Sequence, residues 1–558
     1  MIEYLNNWIT ALDKRFDKVK CSSIVIGTGL LSVCAIILLL TSLLFFLGQS
    51  ICNLIFPISI LITAFPIWYL SKKEKSSWWR NCILIYFIIF ISLFISSIAY
   101  DHTYDGLTYH QDMIYQLKNG WNPVYAHHAD GAHPKLVTWV SHYARGIEII
   151  SATIYAFTNN IESGKAVNFM LVIASFCFIN HYFRHAWGNL KPPKRFYYVF
   201  ILTLCPVVVA QGLTYYVDWC LYSLLMILVS VLLSLNKEIK LNSQITICIV
   251  LILAVFTKFN SAFWMYFVIL CYFLYLLFRK KYAMARTLAL ISFISLLVGC
   301  CVIGYNPYIT NFIDHAHPLY PLMGEGAIHA MPQSMPANMV GNIAIKNIFV
   351  SFFAHTVHPG LGTTPVQLYY PFTFTKYDLI VCGVADLRVS GFGLFFNVIL
   401  ILSLLLYSLC KLTRKDRFVS LVILLGLFVS LFILPFGWWA RFIPFFYLFP
   451  FVILLYSEQC QLSVLLIRLR QMIYAITMIN ILLVIASSLL ISYGKHKQVD
   501  EVLDKLSYQK ELRINTGINI GFKIKLEETG INYINTKDTI GLSFRCFHPP
   551  VFINLSKE

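Results

Sequence analysis

Charge is what this sequence lacks. Asp, Glu, Lys and Arg make up 12% of its 558 residues, against about 25% in a soluble globular protein. A chain that is 58% hydrophobic carries more apolar surface than one water-soluble core absorbs, which excludes an ordinary soluble enzyme. Acidic groups are the scarcest, 26 against 43 basic ones, a formal charge of +17. The sequence also has no GxxxxGK phosphate loop, no recognisable nucleotide fold, no internal repeat and no low-complexity tract, which argues against direct use of a nucleotide, a solenoid or a disordered scaffold.

Long apolar runs are what is there. Those at 24–47, 82–99 and 472–492 each suffice to cross about 30 Å of hydrocarbon as a helix of about 20 residues. Thirteen spans are expected, at 24–47, 51–70, 82–99, 162–182, 196–212, 219–235, 244–257, 261–278, 287–304, 391–410, 418–434, 441–457 and 472–492. The first run has no small-residue cleavage site, so it is expected to be a retained helix rather than a signal peptide.

The basic residues settle the orientation expected of this bundle. They cluster between runs, at Lys72-Lys73-Glu74-Lys75, Arg279-Lys280-Lys281 and Arg414-Lys415-Asp416-Arg417, rather than along one folded face, which excludes nucleic acid as the partner. With a cytoplasmic N-terminus (1–23), the inside segments hold 24 Lys and Arg and the longer outside connections hold 8, the asymmetry of the positive-inside rule. The expected fold is therefore an all-α polytopic membrane protein of the inner (plasma) membrane. A domain over 24–493 carries two long exterior loops, 100–161 and 305–390, and a small exterior domain follows at 494–558. The stretch 136–155, interrupted by His142, Arg145 and Glu148, reads as an amphipathic helix in the interface. Cys382 and Cys546 are the one cysteine pair in long exterior segments, although free thiols are the expected state.

Chemistry collects at the exterior ends of the spans. The first loop opens with Asp101-His102-Thr103-Tyr104-Asp105-Gly106-Leu107-Thr108-Tyr109-His110-Gln111-Asp112; if this is helical from its start, Asp101 and Asp105 share a face at i and i+4. A carboxylate there suits a general base toward a hydroxyl, worth about 100- to 10,000-fold, or a divalent-cation ligand. The other reading is a solvated carboxylate capping the next helix. Asp218, Lys258, Asn260, Asn306, Asp314, His315, His317 and Arg441 also fall at exterior span ends, and ionisable groups near hydrocarbon tend to face a cavity. Arg441, in Gly437-Trp438-Trp439-Ala440-Arg441, has the fork shape that grips a phosphate, and Lys258 adds a point charge for the same group. His127, His128, Asp130 and His133 have ligand types suited to a transition metal but match no standard spacing. Contact with a polar substrate is the stronger expectation for them and for Asp314-His315-Ala316-His317.

Tyr104-Asp105-Gly106-Leu107-Thr108-Tyr109-His110, with Asn119-Gly120-Trp121-Asn122-Pro123 after it, resembles the first-loop signature of bacterial GT-C superfamily glycosyltransferases, the group that includes protein mannosyltransferase-like and aminoarabinose transferase-like enzymes. Thr214-Tyr215-Tyr216-Val217-Asp218, Lys258-Phe259-Asn260, Tyr305-Asn306-Pro307-Tyr308 and His317-Pro318-Leu319-Tyr320-Pro321 also look like recurring features of that group. The resemblance covers roughly residues 80–450. It implies a GT-C-like bundle with a catalytic acid at Asp105 and, less directly, at Asp101, and His110 among the substrate contacts. Many relatives have paired adjacent acids where this sequence has Asp105-Gly106, which weakens a two-carboxylate metal site; Mg or Mn is the one cofactor left open.

The function implied is transfer of a hexosyl or pentosyl group from a polyprenyl-phosphate sugar to a hydroxyl of a glycan, lipid or protein, with inversion, in cell-envelope glycan synthesis. A lipid carrier is required because an exterior site meets no nucleotide-sugar pool. A polysaccharide polymerase or ligase using lipid-diphosphate-linked oligosaccharide is the neighbouring alternative. A lipid or polysaccharide transporter is the non-enzymatic one, disfavoured by the uncharged span centres and the lack of repeated halves.

Overall fold

The computed structural model describes residues 10, 21–188, 190–328, 335–356, 364–509, 512–536 and 548–555. The protein is mostly helical, and among the described residues seven helices are long and apolar enough to cross a membrane: Ser23–Phe46, Ile55–Lys73, Trp78–Ser97, Ile161–Ala186, Phe259–Phe278, Tyr282–Ile303 and Val464–Ser507. Each coincides with an expected span. Four of the other six expected spans fall on shorter apolar helices, Asp218–Leu233, Leu241–Thr257, Phe396–Leu409 and Pro444–Ser457, and 418–434 overlaps helix Arg414–Ser430. The run at 196–212 is broken into Pro192–Thr203 and Pro206–Gln211, because Pro206 has no N–H to continue the helix before it.

The chain divides into two compact units. The first comprises Met1–Thr203, Gly212–Ile328 and Lys495–Glu558, and the second Leu204–Gln211 with His329–Gly494. In the first unit, helix Ser23–Phe46 packs against Ile55–Lys73 and Ala166–Ala186, and the latter against Asp218–Leu233. Gly27 permits that approach: a Cβ there would lie 2.9 Å from the Phe178 ring, and small residues are what let membrane helices come close. In the second unit Phe352, Phe392, Phe396, Phe446 and Tyr447 form a connected set of ring contacts.

The stretch 136–155 is not the single interfacial helix expected. It forms Val137–His142 and Gly146–Thr158 with a break between them, and the second helix is buried along most of its length. His142, Arg145 and Glu148 each have protein partners, described below, although Arg145 Nη1 and Glu148 Oε2 make no hydrogen bond to a described group.

Helix Val464–Ser507 runs through the change of composition at 494, and a small sheet follows it. Strands β1 (Leu512–Asn515), β2 (Ile534–Asn535) and β3 (Phe552–Leu555) form a sheet in the order β2-β1-β3, parallel for the first pair and antiparallel for the second. Asn519 caps helix Ile520–Glu528 by accepting the Phe522 N–H at 3.0 Å. Leu503, Leu506, Leu512, Ile514, Phe522, Leu526 and Ile553 form the core, with Tyr100 packed against it. Cys382 is a free thiol whose Sγ–H donates to the carbonyls of Leu379 and Leu483; Cys546, its only candidate partner, lies outside the described residues.

Candidate functional site

The segment after helix Trp78–Ser97 is extended through Thr103 and becomes helical at Tyr104, so Asp101 and Asp105 are not one turn apart on a helix as expected. Asp101 is buried, and its carboxylate accepts hydrogen bonds from Thr103 N (2.8 Å), Thr103 Oγ1 (2.7 Å) and Tyr215 N (2.6 Å). Its own N–H donates to Glu162 Oε2 at 3.1 Å. Burial raises the Asp101 carboxyl above its ordinary value, with Lys165 pulling the other way. Asp101 is thus an anchor between the first loop and Tyr215. Thr103 Oγ1 in turn accepts the Gly106 N–H at 3.2 Å. A Cβ at position 106 would lie 2.1 Å from Asp101 Oδ2, which is the physical reason a second acid does not follow Asp105 here.

Asp105, half-buried, heads a π-turn over Gly106–His110 that runs into helix Gln111–Lys118. Thr108 leaves helical geometry (φ −100°, ψ −105°) within that turn, and single π-turns of this kind recur at functional sites. His110, buried, lies with Nδ1 2.6 Å from Glu148 Oε1. Arg145 is fully buried: its guanidinium donates to the carbonyls of Ser141 (2.6 Å) and Tyr143 (3.1 Å) and stacks over Trp121 at 4.7 Å. Burial pushes this guanidinium down to about 9, against the pull of Glu148. Glu148 was not among the expected site residues; the one signal for it was a carboxylate in an otherwise apolar stretch.

An unbroken run of aromatic rings leads away from the π-turn. Tyr109 contacts Trp139 (6.3 Å between centroids), Trp139 contacts Tyr143 (5.8 Å), Tyr143 contacts Phe259 (5.1 Å) and Phe259 contacts Tyr308 (5.5 Å). Expected polar residues adjoin it in sequence. Lys258 Nζ lies 2.5 Å from Asp218 Oδ1, so each is held by the other, and Lys258 is not a lone point charge. Asn260 and Asn306 have side-chain amide atoms that are buried and make no hydrogen bond to a described group. Buried amides are nearly always bonded, so each such case asks for an explanation.

The two histidine-bearing loops meet. His127 Nδ1 is 2.8 Å from Asp314 Oδ2. His142, which is buried, lies 2.8 Å from Asn311 Oδ1 through Nδ1, with the rings of His128 and His315 at 4.9 and 4.8 Å. His315 stacks on Tyr320 at 3.6 Å. Burial, followed by the nearby His128, His315 and Arg145, lowers His142 to about 4, opposed by its bond to Asn311. His317 Nδ1 accepts only the local Leu319 N–H, and the His133 N–H donates to Asp112 Oδ2. Asp130 is exposed. Among the described residues no group of three or more His, Cys, Asp or Glu is placed to hold a metal. Of the four residues suggested for a metal, His127 pairs with Asp314, and the His133 ring accepts the Lys135 N–H through Nδ1 at 3.2 Å.

Arg441 belongs to the second unit. Its Nε is 3.3 Å from Asp386 Oδ1, while Arg388 reaches the other oxygen at 3.4 Å. Both guanidiniums stack on Trp439, at 4.4 and 4.2 Å from the ring centroid. In the same unit Asp378 accepts from Thr356 and Thr375 and lies 2.8 Å from His355 Nδ1. Burial alone would raise this carboxyl; those hydrogen bonds outweigh it and hold it down to about 2.

No protein-family model matches the sequence, and neither the curated proteins nor the solved structures provide a match.

Proposed function

We propose that this protein is an integral membrane glycosyltransferase that moves a sugar from a polyprenyl-phosphate donor to an acceptor hydroxyl on the non-cytoplasmic face. The observation that carries the reading is the company Asp105 keeps. A half-buried carboxylate stands at the head of a π-turn that leads into the aromatic run from Tyr109 to Tyr308, with the Asn260 and Asn306 amides beside that run in sequence. Flat apolar faces edged by a few polar groups are what a ligand pocket for a small polar ring requires.

In the reaction Asp105 takes the proton of the acceptor hydroxyl as that oxygen forms a bond to the anomeric carbon. The bond from that carbon to the phosphate oxygen breaks, its electron pair leaves with the polyprenyl phosphate, and the configuration inverts. Taken by itself, the second unit offers Arg441 beside Arg388, with the forked donors that suit a phosphate. The Lys258–Asp218 pair fixes charge beside Asn260 rather than contacting the phosphate alone. A bundle of thirteen spans, with the first loop and the tail outside, completes the proposal. The contacts that join tail to first loop support it, since the two must then share a face and an even number of crossings must separate them.

The test is incubation of purified protein with radiolabelled polyprenyl-phosphate sugars and a membrane acceptor extract. Wild type is expected to transfer label, and Asp105→Asn to lose about 100- to 10,000-fold of the rate. Equal transfer by both proteins would remove Asp105 from this role.

A further inference from the structure

The C-terminal domain is tied to the first loop by a buried charge network. The Tyr115 hydroxyl donates to Glu527 Oε2 at 2.8 Å, and the Ile161 N–H donates to Glu528 Oε1 at 2.7 Å. Between these points Lys525 is almost fully buried. Its ammonium lies 2.7 Å from Glu528, 3.4 Å from Asn160 Oδ1 and 3.7 Å from Glu162 Oε1, and 4.9 Å above the Tyr100 ring. Gly521 comes so close to the loop that a Cβ there would meet Gln111 Oε1 at 2.4 Å, and His548 rests against Tyr104 with ring centroids 5.3 Å apart.

The network continues inward to the π-turn. The other Glu162 oxygen takes the Lys165 ammonium at 2.6 Å and the Asp101 N–H at 3.1 Å, and Lys165 also donates to the Ala99 carbonyl. Asp101 holds Thr103, and Thr103 holds the Gly106 N–H. The residues Lys525, Glu162, Asp101, Thr103 and Gly106 therefore form one chain of polar contacts, from the tail to the residue after Asp105. Charges out of water fix their partners firmly when paired and destabilise strongly when one partner is removed.

We infer that the C-terminal domain is a positioning clasp for the first-loop helix, and that Lys525 is the residue through which it sets the place of Asp105. The clasp stands on contacts alone; its consequence for catalysis rests on the transferase reading.

Amide hydrogen exchange of the full-length protein in lipid nanodiscs tests the clasp. Peptides covering 101–118 are expected to exchange at least about tenfold faster in Lys525→Met than in wild type. Lys525→Arg is expected to restore slow exchange, and Lys497→Met, an exposed change in the same domain, to leave it alone. Glu528→Gln, which keeps an acceptor for Ile161 but not the charge, is expected to give a smaller acceleration and serves if Lys525→Met does not fold. Unchanged exchange at 101–118 in both Lys525→Met and Glu528→Gln overturns the inference. So does failure of Lys525→Arg to restore protection. In the transfer assay Lys525→Met is expected to lower kcat about tenfold with donor KM unchanged. Absence of transfer by every protein, with the exchange result intact, would count against the transferase reading and not the clasp.

Discussion

Gly106→Ala is the smallest change that tests how the first loop is held. The added methyl would lie 2.1 Å from Asp101 Oδ2, 2.5 Å from Thr103 Oγ1 and 2.6 Å from Asp101 Cγ, and Asp101 has little freedom to retreat. Turning its carboxylate away sacrifices at least one hydrogen bond to a charged acceptor, about 1.5–3 kcal/mol, while leaving it in place strains a packed site by about 1–3 kcal/mol. Either route predicts a loss of about 1–3 kcal/mol. Thermal unfolding in detergent, followed by labelling of buried cysteines as they become exposed, reads the loss as a lowered midpoint. A cycle with Asp101→Ala identifies its origin, because the shortened side chain leaves room for the methyl. The double variant should be no less stable than Asp101→Ala alone, a coupling of the size neighbouring residues show. A Gly106→Ala midpoint equal to wild type, or strictly additive losses, would refute this account of the loop.

Two further outcomes follow from the buried charges. Lys258→Met strands the Asp218 carboxylate and is expected to cost about 3–5 kcal/mol, much of it recovered when Asp218→Asn is added; a double variant as unstable as the single would show that the pair is not a unit. His142 protonates near 4 in the fold against an ordinary 6.5, so the fold favours the neutral ring. Its contribution is fully present above pH 6.5 and is lost as pH falls from there toward 4. The unfolding midpoint of wild type should therefore fall more steeply over that window than that of His142→Gln, and parallel curves would contradict the assignment.

The membrane class and the long apolar helices are legible because each depends on local composition: an apolar run of sufficient length. The tail's small sheet is not, since β1 pairs with strands separated from it in sequence and short enough to carry little pattern. Within the site, the sequence offered Asp105, His110, Asp218 and Lys258 as separate polar residues at span ends. It could not say that Asp218 and Lys258 neutralise each other, or that His127 and Asp314 meet across 187 positions. Glu148 and Arg145 point, in the sequence, to an amphipathic interfacial helix; in the fold they are buried beside His110, Trp121 and backbone carbonyls. Lys525, Arg388 and Asp386 were invisible for the same reason. Their meaning lies in partners, and Lys525 finds Glu162 only through the tertiary fold.

The central claim is that the chemistry gathers on one side of the membrane, and side-specific labelling tests it directly. Single cysteines are placed in a cysteine-free background at Tyr104, Tyr370 and Tyr508, which are all exposed, and at Lys415 in the basic first turn of helix Arg414–Ser430. In intact cells a membrane-impermeant maleimide is predicted to label positions 104, 370 and 508, and to reach position 415 only after permeabilisation. Labelling that puts 104 on the opposite face from 370, or from 508, would contradict the account.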